Sequence, residues 1–204
     1  MLKNYPNLAK LLAGNELILA SGSPRRVRIL RENGIQFEQL LPDIEENNNA
    51  GLAPYEMALN LARKKALAVR DHLGQNKIAL GCDTIVVIDD IILGKPESED
   101  HAFEMLSRLS GNCHTVCSAV SLLRGGDFKS VSDYELTRVY FNHIEPKRLR
   151  EYIATGEPLD KAGAYGIQGL GGFLVDRIEG NLDNVIGLPM TLFDKLAGSL
   201  IEDA

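Results

Sequence analysis

Ser21-Gly-Ser-Pro-Arg-Arg26 joins a short apolar run, residues 16–21, to a charged amphipathic stretch that ends at Asn33-Gly34. A strand that enters a helix N-terminus through a Gly/Ser loop makes an anion site, because unpaired backbone N–H groups and the helix dipole both favour negative charge. Ser23 suits the N-cap, Pro24 the first helical position and Gly34 the residue past the helix end. Arg25, Arg26, Arg28 and Arg31 crowd the first two turns. Basic side chains there oppose the dipole, so helix stability alone would not select them. A solvated basic face is the plain alternative. The coincidence of cap, glycine and arginine favours phosphate.

Asp83 interrupts Ile78-Ala-Leu-Gly-Cys-Asp-Thr-Ile-Val-Val-Ile88, otherwise a buried strand. A buried carboxylate must pair, bind a metal or line a cleft. Strand alternation puts Ala79 and Gly81 on its face, small residues that leave room beside it. A salt bridge is one reading; a metal ligand or general base is favoured over it. Glu45 and Glu46 are consecutive, so only one can enter a site shared with Asp83. Arg63, Lys64 and Lys65 span most of a helical turn, so at least one faces solvent. Lys95, in Gly-Lys-Pro, stands where a rigid turn would aim it. Together these residues supply carboxylates for a divalent cation and cations for a polyphosphate. Metal-assisted phosphoanhydride hydrolysis requires both sets, because charge builds on phosphate oxygens in the transition state. There is no GxxxxGK[ST] loop, no GxGxxG at a Rossmann position and no GxSxG elbow. His72, His101, His114 and His143 lack metal-ligand spacing.

The elements that must hold these residues read as strand, loop and helix over 16–34, and a second extended stretch over 37–41. A helix follows from Pro54 to about Leu73, with Ala58, Leu61, Ala62, Ala66 and Val69 on one stripe. Lys77–Ile88 is a long strand that turns at Asp89-Asp90 into Ile91–Leu93. Helices are expected over 98–109, 146–155 and 189–200, and long strands over 114–124 and 130–141. Eight of the 19 glycines fall between Gly156 and Gly187, interleaved with core-type residues such as Tyr165, Ile167 and Phe173. Glycines in that company suggest bends, bulges or backbone lying against a ligand. The mixture of strand–helix units and hairpins argues for α/β with a mixed sheet.

Composition bounds the class. The chain has 204 residues, is 45% hydrophobic and 25% charged, and carries a formal net charge of −6. These values fit a single soluble domain over 1–204 and exclude disorder and fibres. The acidic excess makes duplex nucleic acid a poor partner, since its binding comes from neutralising phosphates with a basic face. A small phosphorylated ligand survives that test. Cys82, Cys113 and Cys117 form an odd set that suits a reducing compartment, and the last two are expected to share a face as small apolar fillers. No signal peptide and no membrane span is expected, so the chain reads as cytoplasmic.

Leu19-Ala-Ser-Gly-Ser-Pro-Arg-Arg26, Gly81-Cys-Asp-Thr-Ile-Val86, Gly94-Lys-Pro96 and Leu109-Ser-Gly111 resemble successive signatures of the Maf family. So do Asp160-Lys-Ala-Gly-Ala-Tyr-Gly-Ile-Gln-Gly169 and Gly187-Leu-Pro189. The resemblance runs in order over about residues 16 to 200. It implies a nucleoside triphosphate pyrophosphatase that cleaves between the α- and β-phosphates with a divalent metal, Mg²⁺ or Mn²⁺, and is commonly a homodimer. The implied fold is inosine triphosphatase-like, an α/β protein with a long twisted mixed sheet flanked by helices and a central cleft. By position, Asp83 resembles the family's proton acceptor, with Glu46 as its partner at the metal. Ser21, Arg26, Lys65 and Lys95 resemble the remaining polar residues, which resolves the Glu45/Glu46 and Lys64/Lys65 choices. Arg25, Thr84 and Gln168 match the set of the dTTP/UTP subgroup rather than the 7-methyl-GTP one. Gln168 can complement the O4 and N3–H edge of uracil or thymine, and Gly166, Gly169, Gly171 and Gly172 would let backbone approach base and sugar. Modified pyrimidine nucleotides are a further substrate class, and a nucleotide-binding regulator of septum formation with little turnover is the alternative role. Cys82 departs from the family's usual Ala, and residues 1–15 lie outside the resemblance. Adjacent Asp83 and Thr84 should face opposite ways, so joint substrate contact requires β-structure to end, bend or bulge there.

Overall fold

The computed structural model describes residues 2–45 and 51–202. Its strands are β1 (Glu16–Ala20), β2 (Phe37–Leu40), β3 (Lys77–Ile88), β4 (Ile91–Leu93), β5 (Cys113–Arg124), β6 (Ser130–Phe141) and β7 (Val175–Glu179). The helices are α1 (Pro6–Leu12), α2 (Pro24–Glu32), α3 (Pro54–Ala68), α4 (Glu99–Leu109), α5 (Pro146–Ile153), α6 (Leu182–Ile186) and α7 (Met190–Glu202). The strands pair in the order β2-β1-β3-β5-β6-β7, with β4 also on β3. β2 and β3 are parallel to β1, while β4 on β3 and β7 on β6 are antiparallel. The protein is thus α/β with a mixed seven-stranded sheet, as the alternation of units and hairpins required. Contacts divide it into two compact units. The first comprises Met1–Asp83, Ser118–Glu135 and Gly187–Ala204, and the second Thr84–Cys117 and Leu136–Ile186.

In the first unit, β1 is buried along Leu17 to Ala20 and lies between β2 and β3, with Ala20 opposite both Leu40 and Gly81. Ser21 therefore leaves the sheet level with the approach to Asp83. α2 begins at Pro24 and stops where Gly34 adopts φ 71°. There the Gly34 amide bonds to the Arg31 carbonyl at 2.9 Å and the Ile35 amide to Leu30 at 3.0 Å, the paired bonds of a Schellman end. α3 buries Ala58, Leu61, Ala62 and Ala66, the expected stripe. It stops at Ala68, short of Leu73, and the chain continues in a 3₁₀ turn over Arg70–His72.

Residues before Glu16, uncommitted from sequence, form a docked helix. Leu8 and Leu11 of α1 are buried. Tyr5 at its N-cap makes no side-chain cap bond, and Asp194 of α7 accepts from the Leu8 amide at 2.8 Å and from Asn7 Nδ2 at 3.1 Å. A carboxylate at a helix N-terminus satisfies an orphan donor and complements the dipole.

The second unit packs around Val86, Leu106, Val116, Val139, Phe141, Tyr152 and Leu174. The β3–β4 turn takes positive φ at Asp89 (49°) and Asp90 (63°), the geometry of a two-residue hairpin whose twist matches its strands. α4 starts at Ser98, whose Oγ accepts from the His101 amide at 3.1 Å. Cys117 is buried and Cys113 is exposed, so only the former fills core. Cys113 is the first residue of β5, where the chain enters the sheet from the Ser110–Asn112 turn.

Candidate active site

The first unit places four polar residues together. Ser21 Oγ accepts from Arg26 Nη1 at 2.8 Å and from the Ser23 amide at 3.2 Å, and Arg26 Nε donates to the Gly187 carbonyl at 2.9 Å. Ser21 and Arg26 are both buried. Ser23 occupies the N-cap but makes no side-chain cap bond, contrary to the capping expected of it. Ser21, two residues earlier, accepts from the Ser23 amide. Such a terminus, with Arg25 in its first turn, is suited to an anion.

Asp83 is 8% exposed, and its Oδ1 accepts from Lys65 Nζ at 2.7 Å. The side chains are only 11% and 12% exposed, so this pair lies outside the weak surface class. Asp83 Oδ2 takes no hydrogen bond from another described side chain. Gly81 explains why Lys65 arrives. A Cβ there would strike the Ala62 carbonyl oxygen and lie 2.6 Å from the Ala66 amide nitrogen. The space expected beside the carboxylate is therefore filled by the α3 backbone, and Lys65 sits between those two contacts. Arg63 turns away to Ser132 Oγ at 2.6 Å, and Lys65 is the member of the triplet that reaches Asp83. Cys82 is fully buried; its thiol is pushed up to about 11 by desolvation, against the pull of Arg26 and Lys65. That thiol stays protonated and unreactive at neutral pH.

The second unit holds Thr84, Lys95 and Gln168. Thr84 is half-buried, and β3 continues through both Asp83 and Thr84 without ending. Lys95 is exposed beyond β4, and the Gly94 carbonyl before it accepts from the Gly163 amide at 3.0 Å. Gln168 is exposed within the glycine-rich segment. That segment rests on two residues that sequence reasoning missed. The Tyr152 hydroxyl accepts from the Gly166 amide at 3.2 Å and donates to Glu157 Oε1 at 3.0 Å. Glu157 also accepts from the amides of Leu170 at 3.0 Å and Gly171 at 3.1 Å. A Cβ on Gly171 would lie 2.5 Å from the Tyr152 hydroxyl, and one on Gly169 would lie 3.0 Å from Glu157 Oε2. These two glycines therefore pack against protein.

Beneath the same segment, His114 Nε2 meets the Tyr165 hydroxyl at 2.8 Å, and its Nδ1 is buried without a partner. Both rings stand edge-on to Phe141. Burial lowers the imidazole to about 4 and raises the Tyr165 hydroxyl well above its ordinary value.

Residues 16–200 match the family described as Maf-like protein. This chain belongs to the Maf family. It is 44% identical over 182 residues to a dTTP/UTP pyrophosphatase of Thermoanaerobacter sp. (strain X514), covering 89% of this chain and 95% of the relative. It is 46% identical over 176 residues to a dTTP/UTP pyrophosphatase of Clostridium perfringens, covering 86% and 92%. The solved structure of the Staphylococcus aureus Ham1 protein aligns with 93% of this chain and 100% of its own, at 16% identity and a TM-score of 0.49, too low to carry an argument.

Of the site residues that the Maf resemblance implies, the first unit brings together Ser21, Arg26, Lys65 and Asp83, with Arg25 on the adjoining turn. Glu46 lies outside the described residues. Tyr152 and Glu157 were legible only as an ordinary helix aromatic and an acid in a Gly-Glu-Pro turn; the sole hint was a density of glycines too high for a linker.

Proposed function

We propose that this Maf-family chain hydrolyses dTTP and UTP to the nucleoside monophosphate and pyrophosphate. Relatives that bear the name dTTP/UTP pyrophosphatase align over most of its length at 43–46% identity. The observation that carries the chemistry is Asp83, nearly buried, with Oδ1 held by Lys65. It lies on a strand that pairs with β1, whose end leads through Ser21 to the start of α2, where the Ser23 side chain makes no cap bond.

In this reading Asp83 takes the proton of a water that attacks the α-phosphorus. Lys65 fixes the carboxylate's direction and balances its charge where solvent is scarce. Arg26 holds the Ser21–Ser23 loop in shape through Ser21 and Gly187, and also faces the phosphates. Lys95 contributes a second cation to the phosphates, and Arg25, Thr84 and Gln168 set base and sugar preference. Asp83 and Glu46 would hold a divalent cation, Mg²⁺ or Mn²⁺, and the donor chemistry fits: Asp83 Oδ2 is a hard oxygen not committed to Lys65. Such a cation supplies Lewis-acid stabilisation of phosphate charge. The enzyme would work in the cytoplasm as a homodimer, the compartment suited to its three free cysteines.

Purified protein with Mg²⁺ or Mn²⁺ is tested against dTTP, UTP, their 5-modified analogues, CTP and purine triphosphates, with products resolved by chromatography. Monophosphate and pyrophosphate from dTTP and UTP support the reading. Diphosphate with inorganic phosphate, or binding without turnover, contradicts it, and the latter favours a regulator.

A further inference from the structure

The glycine-rich segment is held by a polar clamp that the proposed chemistry does not use. Tyr152 is 3% exposed on α5, and its ring stands edge-on to Phe173 with centroids 5.9 Å apart. After α5 the chain reverses at Gly156, whose φ of 76° suits glycine. Glu157 follows and folds back toward the Tyr152 hydroxyl. The carboxylate gathers three donors, Tyr152 Oη, Leu170 N and Gly171 N, while Tyr152 takes Gly166 N. Lys161 adds a floor. Its Nζ donates to the Glu157 carbonyl at 2.6 Å and to Asp160 at 2.6 Å, and a Cβ on Gly166 would lie 2.9 Å from its Cε. Both ends of the turn 166–171 are thus tied to one pair of side chains, and Gln168, like the neighbouring Gly169 and Leu170, is exposed.

We infer that Glu157 and Tyr152 are positioning residues that hold the 166–171 turn and so fix where the Gln168 amide stands. Several donors converging on one carboxylate fix its direction and theirs together. A three-donor carboxylate therefore orders glycine-rich backbone that would otherwise sample many conformers. The consequence for base selection rests on the dTTP/UTP reading above. A glutamine amide offers one donor and one acceptor, and it can favour uracil or thymine over cytosine only if the backbone carrying it keeps its place.

Glu157→Gln tests this, because one carboxylate oxygen becomes a group that cannot accept. Tyr152→Phe is the companion, since it keeps the ring and removes only the hydroxyl. Hydrogen exchange by NMR reads the clamp directly. The amides of Gly166, Leu170 and Gly171 should lose protection in Glu157→Gln while those of β3 and α3 keep theirs, and Gly166 should respond most in Tyr152→Phe. Kinetics read the consequence: KM for dTTP and UTP should rise about tenfold with kcat changed less than about threefold, and preference for UTP over CTP should fall. Unchanged exchange at all three amides in both variants overturns the clamp. A drop in kcat at constant KM overturns the positioning role. Should the wild-type protein not hydrolyse dTTP or UTP, the base-reading fails by itself, and amide exchange still decides the clamp.

Discussion

The two units hold functional residues by opposite means. In the first, close packing delivers the charge: Gly81 admits the α3 backbone against β3, and Lys65, next to Ala66 on that helix, reaches Asp83. In the second, a polar network shapes backbone: Glu157 and Tyr152 gather amides from a turn rich in glycine. Packing on a sheet fixes a side chain to within a rotamer. A turn that is half glycine has few side chains to pack, so hydrogen bonds add to the ordering. The first arrangement suits a group that must be exact about one proton. The second suits a segment that, in the proposed reaction, would face the base.

Three substitutions sharpen that contrast. Lys65→Met keeps an apolar stem on α3 and removes the charge. kcat/KM for dTTP should fall roughly a thousandfold, because Asp83 is left buried without its partner. A loss below tenfold would show that the pair is ornamental. Gly81→Ala attacks the same geometry through packing. The added methyl meets the α3 backbone, so urea unfolding should show a loss of about 3 kcal/mol, with activity falling as Lys65 is displaced. An unchanged midpoint would contradict the close helix–strand contact.

The smallest effect belongs to the second unit and depends on pH. The folded His114 pKa of about 4 lies below the ordinary 6.5, so as pH falls the unfolded chain takes up a proton before the folded one does. The stability this residue contributes is present above pH 6.5 and is lost as pH drops toward 4. It should amount to about 2 kcal/mol between pH 6 and pH 4. His114→Gln keeps a partner for Tyr165 and cannot titrate, so its stability should fall less steeply than wild type over that window. Equal slopes would show that the imidazole is not desolvated in the fold.

Local chemistry made much of this legible before the fold was known. Pro24 and Gly34 bracket α2, Asp89-Asp90 turn the hairpin, and the α3 stripe is buried where its period places it. Asp83 stood out because a carboxylate in an apolar strand must have a purpose. What stayed hidden depends on contacts far apart in sequence. Spacing alone left Lys64 and Lys65 equivalent, and only the crossing of α3 over Gly81 separates them. Ser23 has the residue type and position of a cap, yet its side chain makes no cap bond. Asp194 caps α1 from the other end of the chain, which no local pattern can announce. Glu157 reads as a solvated acid until the turn that it gathers is seen.

In the proposed reaction Asp83 activates water toward the α-phosphorus. Turnover of dTTP in ¹⁸O-labelled water, by wild type and Asp83→Asn, measures it most directly when the thermal unfolding midpoint of each is recorded beside it. Label is expected in the monophosphate of the wild-type reaction and none in its pyrophosphate. The variant should turn over at least about a thousandfold more slowly while still unfolding cooperatively, at a lower midpoint because Lys65 loses its counter-charge. Label in pyrophosphate, or an Asp83→Asn rate near that of the wild type, would contradict the proposed reaction.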